Sequence, residues 1–319
     1  MHFEKGILRI DSREAVDEIT AFIKRLVGER LRKGVVVGLS GGIDSAVTAA
    51  LSVQALGKER VLGVILPERE SSPMSSEYAV RLALQLEIRT EEVDISPVLE
   101  ALGTYGKRNK IVKKIFPQFD SSCRFRLVLP QDLLERDRLN VFSLEVIDQD
   151  GIRQSKRLGL DDYLELMAAT DMKQRTRMTL LYYYAERSNY LVMGTTNKSE
   201  VIQGFFVKYG DGGVDAEPIA HLYKTQVYQL GAELGIPEEI MRRTPSPDTF
   251  SFEVSDKDFY FCMDYEELDL MLYAWENGIS NDEIRRALGF SDQQIARVFS
   301  DIKRKHNLSE HLRRLAPHL

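Results

Sequence analysis

The amino-acid sequence predicts an α/β fold built on a doubly wound parallel sheet. Short runs of valine, leucine and isoleucine alternate with segments of helical periodicity, and a serine- and glycine-rich turn joins the first run to an alanine-rich helix. Unbroken apolar runs are typical of strands that helices cover on both faces of the sheet. Ligands of such sheets bind beyond the carboxyl ends of the strands, so functional residues are expected in the loops that follow them.

The core elements fall into two blocks, before and after a long interruption. Strands are predicted from apolar runs, and helices from apolar residues three or four positions apart. The first block comprises helix 13–32, strand 35–39, helix 46–56, strand 61–66, helix 76–86 and strand 88–95. The second block comprises helix 173–186, strand 190–194 and helix 224–234.

The interruption is predicted to be an inserted, β-containing subdomain at the edge of the core. Residues 125–129 and 141–147 have the composition of strands, and Asp150-Gly151 is typical of tight hairpin turns. The stretch 107–126 carries seven Lys or Arg residues and one acid. Such a basic stretch is either a solvent-exposed face or a contact for an anionic substrate or partner, and the sequence leaves both open.

The last part of the chain is predicted to be all helical. Ser280 and Ser291 are N-cap signals within it, and its helices are 265–275, 282–288 and 292–304. The predicted organisation is a first core part (1–101), the insert (102–160), a second core part (161–258) that includes a lid (245–258), and a C-terminal helical region (259–319).

Bulk composition bears on the class of function. The chain has 319 residues, a net charge of −6 and a pI near 5.6, which argues against general nucleic-acid binding. With two cysteines, Cys123 and Cys262, we expect neither a disulfide framework nor a cysteine-rich metal site. No run approaches the length of a membrane span. We therefore expect a cytoplasmic protein that binds small molecules rather than nucleic acid or membrane.

The segment most informative about chemistry is S-G-G-I-D-S at 40–45. Adjacent glycines, with Gly42 next to the helix, let backbone N–H groups approach an oxyanion, and the helix start adds unpaired donors. Ser40 and Ser45 supply hydroxyls, and Asp44 supplies a carboxylate that can share a magnesium ion with phosphate. A serine-capped turn without a ligand would explain a lone Gly-Gly pair, but the six-residue pattern is far more specific.

The segment after the last core strand, G-T-T-N-K-S-E at 194–200, is expected to lie near this turn. Thr195 and Thr196 can form hydrogen bonds with a nucleotide, and Glu200 can complete a magnesium site with Asp44. On spacing alone, a surface helix residue would explain Glu200 equally well.

The run F-F-V-K-Y-G-D-G at 205–212 combines aromatic, charged and glycine residues. Phe206 suits stacking on a flat ring, and Lys208 and Asp211 suit the orientation of polar groups. A core aromatic pair followed by a surface turn is the simpler alternative.

Lys224, in L-Y-K-T at 222–225, can neutralise charge that develops on phosphate during transfer. Ser246 lies in P-S-P-D at 245–248, at the start of a proline-bounded stretch with few apolar residues. That composition is the reason for predicting a mobile lid there.

Together these motifs resemble the NAD synthetase family, a branch of the ATP pyrophosphatases, which cleave ATP between its α and β phosphates. The resemblance spans about residues 10–100 and 170–275. The matching segments, in family order, are S-G-G-I-D-S at 40–45, R-T-R-M at 175–178, G-T-T-N-K-S-E at 194–200, F-V-K-Y-G-D-G at 206–212, P-I at 218–219 and L-Y-K-T at 222–225. The family implies an adenine nucleotide α-hydrolase-like fold and usually a homodimer. It also implies use of ATP and Mg²⁺ to convert nicotinic acid adenine dinucleotide and ammonia to NAD, AMP and pyrophosphate.

The resemblance further implies roles for individual side chains. The residues implied to bind ATP are Ser40, Gly42, Asp44, Ser45, Thr195, Lys224 and Ser246, and those implied to act in catalysis are Asp44, Lys224 and Ser246. The implied metal ligands are Asp44 and Glu200. The implied dinucleotide pocket is formed by Arg175, Phe206, Lys208 and Asp211.

Differences from the family pattern leave the acceptor open. Asp171 stands where the family usually has asparagine, which adds negative charge near an anionic substrate. The alternative to NAD synthetase is a paralogous ligase that adenylates and amidates another carboxylate, with the insert shaping its pocket. A regulatory nucleotide-binding module is a third hypothesis, which the intact Asp44, Glu200 and Lys224 disfavour. The loop S-S-P-M-S at 71–75 is similar to that of glutamine-using members, so a separate glutaminase is an alternative to free ammonia.

Overall fold

A four-stranded parallel sheet forms the centre of the computed structural model, which describes residues 2–137 and 140–317. The strands are β1 (Gly34–Gly38), β2 (Val61–Ile65), β3 (Arg89–Glu92), β4 (Arg124–Val128), β5 (Ser143–Ile147), β6 (Arg153–Arg157) and β7 (Tyr190–Met193). The central sheet has the order β3-β2-β1-β7, and all its neighbours are parallel. The other three strands form an antiparallel sheet in the order β4-β5-β6.

Helices make up most of the remaining chain. They are α1 (Ser12–Glu29), α2 (Ile43–Leu56), α3 (Pro73–Gln85), α4 (Ser96–Ala101), α5 (Thr104–Ile115), α6 (Leu160–Ser188), α7 (Lys198–Gln203), α8 (Lys224–Glu233), α9 (Glu238–Met241), α10 (Tyr265–Glu276), α11 (Asn281–Leu288), α12 (Asp292–Leu308) and α13 (Glu310–Arg313). A short 3₁₀-helix, Lys58–Arg60, precedes β2, and a π-helical turn, Lys257–Phe261, precedes α10.

Helices cover both faces of the central sheet, which confirms the predicted α/β fold with a doubly wound sheet. In β1, Val35 and Val37 pack against α1, α2, α3 and α8, whereas Val36 packs against α4 and α6. All three valines are fully buried. Because both faces are covered, the strands show unbroken apolar runs rather than alternation, which is the pattern that made them predictable.

The strand order creates a crevice between β1 and β7. From β1 the chain proceeds outward through β2 to β3, and after the insert it returns to pair β7 with the other side of β1. Loops that follow the two central strands therefore lead away from each other, and ligands of such sheets bind where this happens. Residues 40–45 follow β1 and residues 194–200 follow β7, so both predicted segments border the crevice.

The insert contains two elements that the sequence pattern does not predict, helix α5 and strand β6. α5 carries basic residues among its apolar ones, and all five side chains of β6 are exposed and polar. Neither element therefore shows a clear apolar period. Helix α6 also begins at Leu160 rather than at the predicted residue 173. Its first part buries Leu166 against the insert instead of the central sheet, which alters the expected periodicity.

The insert and the lid share one hydrophobic core. Phe116 and Phe125 of the insert pack in the same buried cluster as Phe250 and Val254 of the lid. The backbone N–H of Phe252 donates to the carbonyl oxygen of Phe125 at 3.0 Å. The division of the chain at residues 101, 160 and 258 stays a prediction, but the insert does not pack independently of the lid.

The basic stretch of the insert is mostly solvent-exposed, with two exceptions, of which Arg126 is half-buried and pairs with Glu145. Its exposed members are Lys107, Lys110, Lys113, Lys114 and Arg124. Arg108, in contrast, is fully buried; it pairs with Glu70 and donates to the carbonyl oxygen of Thr249 at 3.0 Å. The interpretation of the stretch as a solvated face is therefore wrong for Arg108, because α5 turns this side chain inward.

The C-terminal helices, which were predicted with the help of their capping signals, share one hydrophobic cluster with the N-terminal segment, the insert and α7. Leu272 of α10 and both Ile295 and Ile302 of α12 are almost fully buried in it. Among the residues that the structure describes, none of the helices combines the length and the apolar character needed to cross a bilayer.

Candidate active site

A cavity of about 990 Å³ lies at the carboxyl ends of the central strands. Every residue predicted to bind nucleotide, metal or acceptor lines it. These residues are Ser40, Gly42, Asp44, Ser45, Arg175, Thr195, Glu200, Phe206, Lys208, Asp211, Lys224 and Ser246. The buried Thr196, also singled out from the sequence, lines it too. The fold thus brings these segments together around one space, and their individual roles stay predictions.

The loop after β1 is an open cradle of backbone amides. Gly41 has a φ of +71°, and a Cβ there would lie 2.4 Å from the carbonyl oxygen of Ser75, so only glycine fits. Gly42 is the N-cap of the 14-residue helix α2 and provides no side chain to cap it. Ser40 Oγ accepts the Gly42 N–H at 3.3 Å and lies 3.1 Å from Ser45 Oγ. Free amides at the start of a helix, flanked by hydroxyls, are suited to binding phosphate.

Three carboxylates and one lysine, which we call the acid cluster (Asp44, Glu200, Asp256 and Lys224), lie beside this loop. Lys224 Nζ pairs with Asp44 Oδ2 and lies 3.9 Å from Glu200 Oε1. The buried Asp256 accepts a hydrogen bond from the Tyr265 hydroxyl at 2.9 Å. Asp256 was not predicted from the sequence, because its place beside Lys224 depends on how the lid packs. With all four groups ionised, the acid cluster has an excess of two negative charges.

The pKa shifts in the acid cluster reflect this excess. Burial opposes the charge on Lys224, but the carboxylates of Asp44 and Glu200 raise its pKa. The pKa of Glu200 is raised well above its usual value, first by burial and then by Asp44. Burial also raises the pKa of Asp256 to about 6. One lysine does not compensate three buried acids, so a further cation would stabilise the ionised cluster.

Asn197 sets the separation of the two predicted metal ligands. Its side chain accepts the Glu200 N–H at 3.1 Å, while Glu200 Oε2 accepts the Asn197 N–H at 3.0 Å, which forms a capping box at the start of α7. Asn197 Nδ2 also donates to Asp44 Oδ1 at 3.0 Å. The sequence analysis did not assign it a role, although the N-x-x-E spacing is the signal of a capping box.

Asp269 of α10 connects the C-terminal helices to the acid cluster. Its Oδ2 accepts the Thr225 N–H at 2.8 Å, and its Oδ1 accepts the Ser199 hydroxyl at 2.5 Å. Ser199 Oγ in turn accepts the backbone N–H of Lys224 at 3.2 Å. One fully buried carboxylate therefore fixes the first turns of both α7 and α8, which carry Glu200 and Lys224.

The donor groups fit a magnesium ion that arrives with a nucleotide. Within residues 2–137 and 140–317, no group of three or more acidic, histidine or cysteine side chains has the arrangement of a metal site. Magnesium, however, is usually held by one or two carboxylates together with phosphate oxygens and waters. Asp44 and Glu200 provide such a pair, and the pKa of Glu200 is raised, first by burial and then by the neighbouring charge of Asp44.

The predicted acceptor residues are held in different ways. Burial raises the pKa of Asp211 to about 6, and the ring of Phe206 lies directly against the backbone of Gly212. Lys208 Nζ donates to the carbonyl oxygens of His311 at 2.8 Å and Arg314 at 3.3 Å. The charge of Lys208 is thus engaged by the C-terminal segment of the chain.

Two arginines of R-T-R-M lie at different depths. Arg175 is exposed at the rim, 4.0 Å from Asp171, a carboxyl group whose pKa burial raises to about 6. Arg177 lies deeper and donates to Leu66 O at 3.1 Å and to Gln174 Oε1 at 2.8 Å. Both arginines line the cavity, but only Arg175 was singled out from the sequence, because the motif does not show how deep each side chain lies.

The insert and the lid supply part of the cavity wall. Phe142 and Tyr163 stack with ring centroids 4.7 Å apart and line the cavity together with Leu129 and Leu158. A pocket shaped by the insert was expected only under the alternative of a paralogous ligase, and these apolar residues were not named from the sequence. Another missed residue is Arg243, which lines the cavity and donates to the carbonyl oxygens of the loop after β1.

The chain as a whole is similar to proteins of one known family. A family model described as NAD synthase matches residues 15–130 and 135–316. The NH(3)-dependent NAD(+) synthetase of Mesorhizobium japonicum is 43% identical, over 96% of this chain and 96% of its own length. That of Rhizobium meliloti is 41% identical, over 99% of this chain and 94% of its own.

Solved structures agree with this assignment. The structure of NH3-dependent NAD synthetase from Campylobacter jejuni has a TM-score of 0.64 at 25% identity, and the match covers 98% of this chain and 100% of that one. NMN synthetase from Francisella tularensis has a TM-score of 0.67 at 24% identity, over 98% and 99% of the two chains, which supports the fold alone. With the family model matching nearly the whole chain and the motifs gathered in one cavity, the protein belongs to the NAD synthase family.

Proposed function

We propose that this protein uses ATP to convert nicotinic acid adenine dinucleotide and ammonia to NAD, AMP and pyrophosphate. One geometric observation carries the proposal: Lys224 lies between Asp44 and Glu200 at the phosphate-binding loop, within the cavity that also holds the predicted acceptor residues. Relatives named NH(3)-dependent NAD(+) synthetase are about 40% identical over nearly the whole chain. They support this activity over amidation of a different carboxylate.

The first step activates the acceptor. A carboxylate is a poor electrophile, so its oxygen attacks the α-phosphorus of ATP and pyrophosphate leaves. The loop amides and the hydroxyls of Ser40 and Ser45 hold the departing phosphates, with Thr195 and Ser246 contacting the nucleotide from two other loops. Lys224 neutralises charge that develops on the phosphate oxygens.

The second step forms the amide. Ammonia attacks the acyl carbon of the adenylate, the bond from that carbon to the phosphate oxygen breaks, AMP leaves, and the nitrogen loses a proton. Arg175, Phe206, Lys208 and Asp211 hold the dinucleotide. The protein mainly positions the reactants and excludes water from the adenylate.

Asp44 and Glu200 hold Mg²⁺ with the nucleotide, and Gly42 keeps the loop open to its phosphates. Bound there, the ion neutralises part of the negative charge of the triphosphate. The excess of negative charge in the acid cluster supports this assignment.

The decisive experiment incubates the purified protein with ATP, Mg²⁺, ammonium and nicotinic acid adenine dinucleotide. NAD is measured by enzymatic reduction to NADH, and AMP and pyrophosphate by chromatography. We expect equal amounts of the three products. A second reaction replaces the dinucleotide with nicotinic acid mononucleotide or other carboxylates, and AMP formation only with one of these would contradict the proposal.

Three further properties belong to the proposal. We expect a homodimer, free ammonia as the nitrogen source, and a cytoplasmic location. Sedimentation velocity tests the dimer. Replacement of ammonium by glutamine tests the nitrogen source, because sustained turnover with glutamine alone would require a glutaminase. Fractionation of the source cells tests the location.

A further inference from the structure

The lid is joined to the phosphate-binding loop through the first turn of α3. Asp248 of the lid accepts the Ser72 N–H at 3.0 Å and the Ser75 hydroxyl at 2.6 Å. The same hydroxyl oxygen accepts a hydrogen bond from Arg243 Nη2 at 2.7 Å. Ser75 therefore connects an acid of the lid with an arginine that precedes the lid.

Arg243 continues the connection into the loop after β1. Its Nη1 lies 3.4 Å from the carbonyl oxygen of Ser40 and 3.3 Å from that of Gly41, and it donates to both. The carbonyl group of Ser75 also packs against Gly41 so closely that a Cβ there would clash. Any movement of the loop carbonyls thus changes the surroundings of Ser75, and through it those of Asp248.

Asp248 has a backbone conformation that the lid must maintain. Its φ is +47°, in the left-handed region that favours glycine, so its position depends on the contacts of its side chain. The next residue is held as well, because Thr249 O accepts hydrogen bonds from Lys173 at 2.9 Å and Arg108 at 3.0 Å. The backbone N–H of Asp248 donates to Ser246 Oγ at 3.2 Å, which ties it to a residue predicted to contact ATP.

We propose that Asp248 and Ser75 are positioning residues that make closure of the lid depend on an occupied phosphate loop. The inference deepens the proposed function and rests on it. With the link intact, the lid covers the acyl-adenylate while ammonia reacts. Without the link, water attacks the acyl carbon, the bond to the phosphate oxygen breaks, the carboxylate is regenerated and AMP is released without NAD.

The test uses three variants of the full chain. Asp248→Gly removes the side chain but retains the backbone conformation, since glycine adopts a positive φ without strain. Asp248→Asn keeps an acceptor for Ser72 and also tolerates this conformation. Glu87→Gly is the matched control, because Glu87 is an exposed acid with a φ of +54°.

The primary measurement is the molar ratio of AMP to NAD formed at saturating ammonium. We expect equal amounts for the unmodified protein and for Glu87→Gly. We expect a severalfold excess of AMP for Asp248→Gly, with kcat for NAD reduced more than KM for ATP is raised, and a ratio for Asp248→Asn close to that of the unmodified protein. Equal amounts of AMP and NAD from Asp248→Gly would overturn the proposal.

The second measurement does not require turnover. Limited proteolysis of residues 245–258 is followed with and without Mg²⁺ and α,β-methylene-ATP, which resists cleavage between the α and β phosphates. We expect the nucleotide to protect the lid of the unmodified protein and of Glu87→Gly, but not that of Asp248→Gly. Equal protection of all three would overturn the link.

The two measurements also separate the two proposals. If the unmodified protein forms no NAD, the proposed function fails, while nucleotide-dependent protection still tests the link. If Asp248→Gly does not fold, Ser75→Ala takes its place, because it removes the hydroxyl between Asp248 and Arg243. A normal product ratio and normal protection in Ser75→Ala would then contradict the link.

Discussion

The acid cluster contrasts with a second buried group of charges, the balanced cluster of Glu68, Glu70, Arg108 and Lys173. In the balanced cluster two acids face two bases: Lys173 Nζ lies 2.6 Å from Glu68 Oε1 and 2.7 Å from Glu70 Oε2, and Arg108 pairs with Glu70. The acid cluster has three acids and one base. Both are buried, so the difference between them lies in charge balance rather than in depth.

The two buried lysines respond in opposite directions. Burial, followed by the neighbouring Arg108, lowers the pKa of Lys173 to about 8. The carboxylates around Lys224 outweigh its burial and raise its pKa. The acids differ too: although burial opposes it, Arg108 and Lys173 lower the pKa of Glu70, whereas the pKa of Glu200 is raised.

This contrast separates a balanced cluster from the one for which we propose a function. The balanced cluster satisfies its own charges and joins the insert, α6 and the lid, so it needs no ligand. The acid cluster is electrostatically incomplete, which costs stability in the free protein and favours binding of a cation. The same substitution of an acid by its amide should therefore have opposite effects in the two places.

The largest expected effect is on activity, in the acid cluster. Asp44→Asn should lower kcat/KM for NAD formation by about a thousandfold, because it removes a metal ligand and charge at the reacting phosphates. The free energy of unfolding should stay the same or rise, since the excess of acids becomes smaller. Steady-state kinetics measures kcat/KM, and urea unfolding measures the free energy of unfolding. Activity within about tenfold of the unmodified protein would contradict the role of Asp44.

The matching change in the balanced cluster is Glu68→Gln. It leaves Lys173 with less compensation and weakens the contact with the Tyr105 hydroxyl, which lies 2.7 Å from Glu68 Oε2. We expect a loss of about 3–4 kcal/mol in the free energy of unfolding, as for one partner removed from a buried ion pair. Urea unfolding measures it. Glu145→Gln, in the partly exposed pair with Arg126, is the control and should cost at most about 1 kcal/mol.

A smaller effect is expected on stabilisation by a bound nucleotide, which should depend on the acid cluster and not on the control pair of Glu145 and Arg126. Mg²⁺ with α,β-methylene-ATP at about a hundred times its Kd should stabilise the unmodified protein by about 2–3 kcal/mol. The stabilisation should disappear in Asp44→Asn and with excess EDTA, and it should persist in Glu145→Gln. Thermal unfolding followed by circular dichroism measures the shift. An undiminished shift in EDTA would argue against a shared metal ion.

The smallest expected effect is the pH dependence of Asp256. Since its pKa is about 6 in the fold and about 4 when unfolded, the native state binds more protons between these values, and stability falls as pH rises from about 4 to 6. Above pH 6 the loss is constant, at about 1–3 kcal/mol. Asp256→Asn should therefore gain stability over the unmodified protein as pH rises from 4 to 7, measured in EDTA. If the difference in the free energy of unfolding between Asp256→Asn and the unmodified protein did not change with pH, the raised pKa of Asp256 would be contradicted.

The sequence predicted the positions of the loop after β1 and of the segment after β7 correctly, for a physical reason. Asp44 and Glu200 follow central strands, and parallel strands carry their carboxyl ends to the same edge. A local motif therefore indicates both a structure and a position. The loop after β1 depends on Gly41, whose φ of +71° and close approach to Ser75 require glycine.

The residues and elements that were not predicted from the sequence owe their positions to tertiary packing. Asp256 reaches the acid cluster because the lid folds back onto the insert, and Arg177 faces the cavity because of how α6 is rotated. Neither fact is encoded in local periodicity. β6 and α5 were not predicted because neither element shows a clear apolar period. The sequence left open whether the basic stretch is solvated or binds an anion, and it gave no sign that α5 buries Arg108 inside the protein.

The common interior of the insert and the lid has a consequence for exchange between relatives. Phe116 and Phe125 on one side and Phe250 and Val254 on the other form a single packed unit, although more than a hundred residues of sequence separate them. A chimera that imports a foreign insert without its own lid would leave aromatic surfaces mismatched. Among relatives, changes in acceptor preference should therefore involve matched substitutions in the insert and in the lid. A chimera should exchange the two segments together.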